Sequence, residues 1–359
     1  MFITIIIALI SLLGLIVLHE FGHFILAKKF GVKVEEFGIG IPPRIFGKKL
    51  GETIYSINLI PFGAFVKLFG EEKDIEDPQS FSFKPIWQRA LIVLGGVVSF
   101  WIISAVLLTF VFWLGAPQQI SDDANHNLIN PKVQIVAIAP NSPAQTADLK
   151  PGDTIRELKV NNQQLLINKV KEVQDFTEQF KGQEIILIIE RNKEVFEVSL
   201  TPRVNPPAGE GAMGVALART ATISYPWFKA PWLGITATVN LTILIIQGWY
   251  QAIVNAISGM PTGVQIMGPV GIFNLLRQAG EMGINYYLYL IAVISLFLAV
   301  FNILPIPALD GGKLFFLGIE KIRGKPVPSK IEQKITMFFF VLLLALILFF
   351  TLKDIQRIF

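Results

Sequence analysis

The chain contains no cysteine. That removes disulfide frameworks, thiol nucleophiles and cysteine metal sites, and leaves the redox compartment unread. Charge is scarce too: Asp, Glu, Lys and Arg make up 16% of the 359 residues, against about 25% in soluble domains. Hydrophobic residues reach 52% and mean hydropathy is +0.56, the balance of an integral membrane protein. The net charge is only +4. Its Lys and Arg cluster beside apolar runs, so the basic excess reads as membrane topology and no nucleic acid is expected as a partner. The first apolar run has no basic region before it and no small-residue cleavage site after it. It is therefore expected to be a retained transmembrane helix and not a cleaved signal peptide. Histidine occurs only three times, and two of the three stand in one short motif.

That motif is HEFGH, His19 to His23, at the end of an apolar run in which Phe2 to Leu18 carries no charge. An ionisable side chain at a bilayer centre costs roughly 2.5–3.5 kcal/mol on insertion scales, so such residues are functional candidates by default. Residues four apart lie on one helix face, so His19 and His23 can reach one ion. Glu20 lies one position round, close enough to activate a water there. H-E-x-x-H on a helix is the metalloprotease pattern, two zinc ligands and a general base. A chance match with two interfacial histidines is the bland alternative. His126, the third histidine, reads most simply as a solvated loop residue.

The rest of the chain divides by hydropathy and charge. Residues 1–27 form transmembrane helix 1. Residues 28–89 are polar and β-patterned; VKVEEFGIGI and ETIYSINLI alternate as strands do, broken by Pro42-Pro43 and Pro61-Phe62-Gly63. Residues 90–115 form transmembrane helix 2, where Gly95-Gly96 would let another helix approach closely. Residues 116–229 are globular in character. PKVQIVAIA reads as a strand, Val170, Val173, Phe176 and Phe180 fall at helical spacing, and EIILIIE pairs with EVFEVSL as a hairpin. Residues 230–284 hold an amphipathic stretch expected to lie in the membrane interface, then a loop. Residues 285–318 form transmembrane helix 3 and its continuation, 319–336 a basic loop, and 337–353 transmembrane helix 4. The two basic segments, 28–89 and 319–336, belong on the cytoplasmic side. Four spans meet that condition. A fifth at 233–257 would put the last basic loop outside.

A catalytic zinc usually takes three protein ligands and keeps one open position. Asp310, in FNILPIPALDGG, is the best third candidate, because it ends span three at the depth where HEFGH ends span one. Pro305 and Pro307 break the helix there, and irregular backbone at membrane depth is tolerated only where protein buries it or it lines a wet cavity. A helix-ending turn with Asp310 as a cap is the alternative. Three rival functions stay open. A membrane-anchored zinc peptidase facing the cytosol would draw its third ligand from a later glutamate, nearest Glu320. A non-enzymatic scaffold would make no use of Glu20. A zinc transporter fits least, since no second metal cluster is visible.

HEFGH with Phe24 and Ala27, together with NILPIPALDG from Asn302 to Gly311, resembles the site-2 protease family of intramembrane zinc metalloproteases, and the order of parts resembles its bacterial regulator-of-sigma-E protease subgroup. The segment from about 131 to 203, most clearly NSPAQTADLKPGD, resembles a PDZ domain. The resemblance implies a polytopic α-helical membrane protein with about four transmembrane helices, a cytoplasmic-side β-hairpin or sheet region, and one extracytoplasmic PDZ domain of α+β type. It implies one Zn2+ per chain on His19, His23 and Asp310, with Glu20 as catalytic acid/base. Asn302 matches the residue that holds the substrate backbone. PFGAFVKLFGE resembles a membrane-facing hairpin offering an edge to substrate, with Phe62, Gly63, Phe65 and Val66 in contact. Implied partners are the bilayer, single-span membrane proteins cut within their spans (anti-sigma factors or signal-peptide remnants), and a carboxyl-terminal peptide on the PDZ domain. Implied location is the bacterial plasma membrane, multi-pass, with the active site near the cytoplasmic side. The chain departs from the family in three places: GGVVSF replaces a Gly-Pro and asparagine, Ala147-Asp148 replaces Ala-Gly, and one PDZ segment is visible where the best-known relative has two.

Overall fold

The computed structural model describes residues 2–358, apart from 72–74, 125–127, 162, 192–193, 208 and 261–266, with the side chains of 2–5, 62, 117, 129, 357 and 358 left aside. The expectation for His126 lies outside the described residues. The chain forms two compact units, one of residues 1–110 with 228–359, the other of residues 111–227.

The first helix, α1 (Phe2–Lys29), carries the HEFGH motif in its last third. An apolar run without proline has only this way to satisfy its backbone in lipid. Two long segments follow, β1 (Val34–Leu50) and β2 (Thr53–Leu68). They fold on each other with register breaks, so that Gly38 lies between Phe65 and Ser56, while Lys48 pairs with Tyr55. Residues 64–68 pair only with 34–39, which leaves them at an edge of this sheet. Next comes α2 (Ile86–Leu114). It meets α1 backbone to backbone. A Cβ on Gly22 would overlap the Gly95 carbonyl oxygen and Ser99 Oγ, and one on Gly95 would lie 2.8 Å from the Gly22 carbonyl oxygen. The close approach expected at Gly95-Gly96 is thus made, with Gly22 as the matching gap.

Among the described residues, the second unit is a seven-stranded sheet with two helices. Its elements are β3 (Ala116–Gln119), β4 (Ile129–Ile138), α3 (Pro143–Thr146), β5 (Thr154–Val160), β6 (Gln163–Leu166), α4 (Val170–Gln179), β7 (Ile185–Arg191), β8 (Glu194–Leu200) and β9 (Val215–Ile223). Strand order is β3-β9-β4-β5-β7-β8, with β6 on β5. The hairpin expected of EIILIIE and EVFEVSL is β7–β8, paired from Ile185–Leu200 to Arg191–Glu194. Val173 and Phe176 of α4 bury against Ile135, Leu158 and Leu187. Two buried charged groups organise the loops. Asp153 is held by Arg191 through Nε (2.6 Å) and Nη2 (2.7 Å). Arg219, only 5% exposed, donates to the carbonyls of Ser121, Asp122, Ala124 and Asn168. The Asp122 carboxylate accepts from the backbone N–H of Val170 and Lys171, where the partial positive end of α4 favours an anion.

Among the described residues, five helices complete the first unit: α5 (Ala230–Ile257), α6 (Pro269–Met282), α7 (Ile284–Asn302), α8 (Asp310–Arg323) and α9 (Ser329–Ile358). The stretch expected in the interface is one continuous 28-residue helix, α5, that runs along its neighbours. Gly234 packs on Ala105 and Thr109, Trp101 Nε1 donates to Thr242 Oγ1 (3.2 Å), and Trp249 meets Phe301 edge to face. Among the described residues five helices are long and apolar enough to cross a membrane by length and composition, α1, α2, α5, α7 and α9. Ser295 of α7 donates to the Phe100 carbonyl of α2 (2.8 Å), and Tyr287 bonds Ser11 of α1 (2.8 Å). Buried Asp354 of α9 accepts from Gly271 N–H at the start of α6 (2.7 Å). The basic stretch 319–336 is not a continuous loop, since α8 runs to Arg323 and α9 starts at Ser329.

Replacing Arg219 with Met would remove the donor that four loop carbonyls share. We expect a loss of roughly 1.5–3 kcal/mol, the worth of hydrogen bonds to a charged group. Limited proteolysis of the detergent-purified full chain would show it as faster cutting within residues 111–227.

Candidate active site

Three side chains converge. His19 Nε2 and His23 Nε2 lie 3.3 Å apart, and Asp310 Oδ2 lies 3.2 Å from the first and 3.4 Å from the second. The local causes are separate. The histidines share a face because they are one helical turn apart. Asp310 is the first residue of α8, reached through a tight turn in which Ile306 N–H bonds the Leu304 carbonyl and Leu309 N–H the Ile306 carbonyl. Pro305 and Pro307 end the preceding helix. Gly311 and Gly312 allow α8 to start pressed on that turn: a Cβ on Gly311 would overlap the Ile303 and Leu304 carbonyl oxygens, and one on Gly312 the Ile306 carbonyl oxygen.

These atoms suit a metal ion. A tetrahedral zinc bound at about 2.0–2.1 Å sets its ligand atoms roughly 3.3 Å apart, which is the spacing of this triangle. His23 Nδ1 donates to the Ile92 carbonyl (2.9 Å), so its Nε2 presents a lone pair. The ring of His19 stacks on Phe100, centroids 4.6 Å apart. Asp310 Oδ2 touches both imidazoles at ionic distance but has no hydrogen-bond partner, although Asp310 is only 8% exposed. A buried carboxylate oxygen facing two imidazole nitrogens, one held as an acceptor, calls for a cation among them. Gly96 supplies the room. A Cβ there would overlap His23 Nε2 and lie 2.7 Å from His19 Cε1.

Beside the triangle is a cavity of about 190 Å3, lined among others by Glu20, His23, Phe65, Val66, Asp310 and Lys313. The structure thus brings Glu20, His23 and Asp310 to one cavity with Phe65 and Val66. Gly63 lies on the same strand with a left-handed backbone (φ +96°), and the side chain of Phe62 lies outside the described residues. Asn302 ends α7 with its amide turned back on the Leu298 carbonyl (2.9 Å), and it does not line this cavity. Glu320, the rival third ligand, is instead held in a two-point ion pair by Arg89. Ile92, Phe100 and Lys313 join the site without being singled out in the sequence, whereas Glu71 ends PFGAFVKLFGE, the segment that resembles a receiving hairpin. Lys313 had a signal, because it follows Asp310 by three residues and shares its helix face.

A family model, Peptidase family M50, matches residues 7–346. The chain belongs to peptidase family M50. Its members by sequence include a Clostridium perfringens relative with a zinc-metalloprotease name, 34% identical over 357 residues and covering 98% of each chain. The regulator of sigma-W protease RasP of Bacillus subtilis is 27% identical over the whole of both chains. The zinc metalloprotease RasP of Oceanobacillus iheyensis is 26% identical over 99% of this chain and all of its own. Among solved structures, the PDZ domain of the SdrC-like protein of Listeria monocytogenes aligns with 26% of this chain and 92% of its own length, at 17% identity and a TM-score of 0.21.

Gly96→Val is expected to push both imidazoles out of convergence. Zinc content of the purified variant, measured by elemental analysis, should fall to a small fraction of the wild-type value while the helices remain folded by circular dichroism.

Proposed function

We propose that the chain is a zinc-dependent endopeptidase that hydrolyses peptide bonds within the transmembrane helices of single-span membrane proteins. One observation carries this reading: the convergence of His19, His23 and Asp310 at a cavity that Glu20 also lines and whose wall includes the edge of a β-sheet. His19 Nε2, His23 Nε2 and Asp310 Oδ2 would hold one zinc ion per chain. Bound there, the ion supplies Lewis acidity at the scissile carbonyl. Glu20 takes a proton from the attacking water and returns it to the leaving amine, so that water and one peptide bond become a carboxyl group and an amine.

A substrate helix hides its amides in its own hydrogen bonds and must unwind before attack. Residues 64–68 have a strand partner on one side only, so the opened segment adds to that edge and regains backbone bonds. Gly63, Phe65 and Val66, with Phe62 beside them, form this receiving edge, and Asn302 is a further clamp from the end of α7. The basic segments 28–89 and 319–336 lie on the cytoplasmic side, and the unit of residues 111–227 lies outside as a PDZ domain that limits the size of the ectodomain a substrate carries. A carboxyl-terminal peptide bound by strand addition is the second role open to that domain. The location is the bacterial plasma membrane. The substrate class includes anti-sigma factors, a reading that draws on the name of the Bacillus subtilis relative.

Two variants test this. Glu20→Gln should keep its zinc and lose cleavage of co-expressed single-span proteins by at least about a hundredfold, the contribution of a general base. A Glu20→Gln enzyme as active as wild type overturns the assignment. Asp310→Ala should lose zinc, whereas Glu320→Ala should retain it and lose only the tie to Arg89. The reverse pattern, read from zinc content, would put the third ligand at Glu320.

A further inference from the structure

Between the cavity and the start of α8 stands an ion pair that the peptidase mechanism leaves unused. Lys313 Nζ lies 2.5 Å from Glu71 Oε1. Lys313 is one turn past Asp310, and Glu71 follows the edge 64–68 by a three-residue step. That step is short and stiff. Phe69 N–H bonds the Lys33 carbonyl, Glu71 N–H bonds the Leu68 carbonyl, and Gly70 between them has φ +70° with Ser80 packed where a Cβ would stand. Glu71 is therefore tied closely to the end of the edge, which β1 holds along its other side. A second, smaller cavity of about 90 Å3 shares Glu71, Phe81 and Lys313 with the first, so the pair stands between the two.

α8 carries a further tie on the same side. Seven residues past Lys313, Glu320 is held by Arg89 in the first turn of α2. One turn beyond Arg89, the Ile92 carbonyl fixes His23. Asp310, Lys313 and Glu320 thus connect a single short helix to the histidines, to the sheet edge and to α2.

We infer that Lys313 is a positioning residue whose ion pair with Glu71 sets the register of the substrate-receiving edge against Asp310. This rests on the proposed peptidase site and on residues 64–68 as its receiving edge. A substrate strand added to that edge moves with it, and the bond presented to Glu20 depends on where the edge is held. Charge at residue 313 is needed, and side-chain length alone does not replace it. Arginine keeps the pair, although its planar fork fits one carboxylate oxygen differently.

The test uses the full-length enzyme in detergent with one single-span substrate, and reads both rate and the bond cut, by mass spectrometry of the fragments. Wild type and Glu20→Gln serve as the active and inactive references. Lys313→Gln should retain zinc, lose roughly ten- to a hundredfold in kcat/KM, the scale for misplacing reacting groups by about 1 Å, and cut at bonds displaced along the substrate. Lys313→Arg should restore the wild-type cut. A Lys313→Gln enzyme with the wild-type cut pattern, at whatever rate, overturns the inference, as does loss of its zinc. A wild type that leaves substrate intact under these conditions removes the proposed function and this inference together.

Discussion

Two imidazole nitrogens and a carboxylate oxygen stand 3.2–3.4 Å apart and largely buried, at the spacing of ligand atoms around one cation. Much of the first unit is arranged around this cluster. Gly22 and Gly95 bring α1 and α2 to backbone contact, and that closeness lets the Ile92 carbonyl reach His23. Gly96 leaves the space beside both rings, and Phe100 lies flat against His19. On the far side of the cluster, two prolines stop α7 and two glycines allow α8 to begin at once, with the aspartate as its first residue. Small residues here act as spacers set to ligand dimensions, and their role in chain flexibility is secondary.

The second unit is built by different physics. Its apolar core of Val133, Ile135, Leu158, Leu187 and Ile189 is closed around a sheet. Its two buried charged residues, Asp153 and Arg219, are each satisfied within the unit. In the first unit, Asp310 Oδ2 has no hydrogen-bond partner and faces two imidazole nitrogens at 3.2 and 3.4 Å, an arrangement that suits metal ligands.

Much of this was legible in the chain, for reasons that differ by residue. His19, Glu20 and His23 are visible because four-residue spacing is a local property of a helix. Asp310 is visible because a proline-broken apolar run with an acidic end is rare and costly. The β7–β8 hairpin and α4 followed from periodicity. Helix α5 was less legible: charge parity between the two basic segments favours an interfacial position, and the structure makes the stretch one continuous helix whose Thr238 and Thr242 bond the carbonyls of Gly234 and Thr238. The separation of α8 from α7 is not written in hydropathy, because apolar residues continue across the break. Phe100 and Ile92 make their contacts with the histidines only after folding, and nothing in their immediate neighbours marks them.

The metal triangle also joins distant parts of the chain. His19 and His23 lie on α1 and Asp310 on α8, far apart in the chain. The triangle therefore closes only once those two helices have docked, and a fragment that carries either helix alone holds an incomplete ligand set.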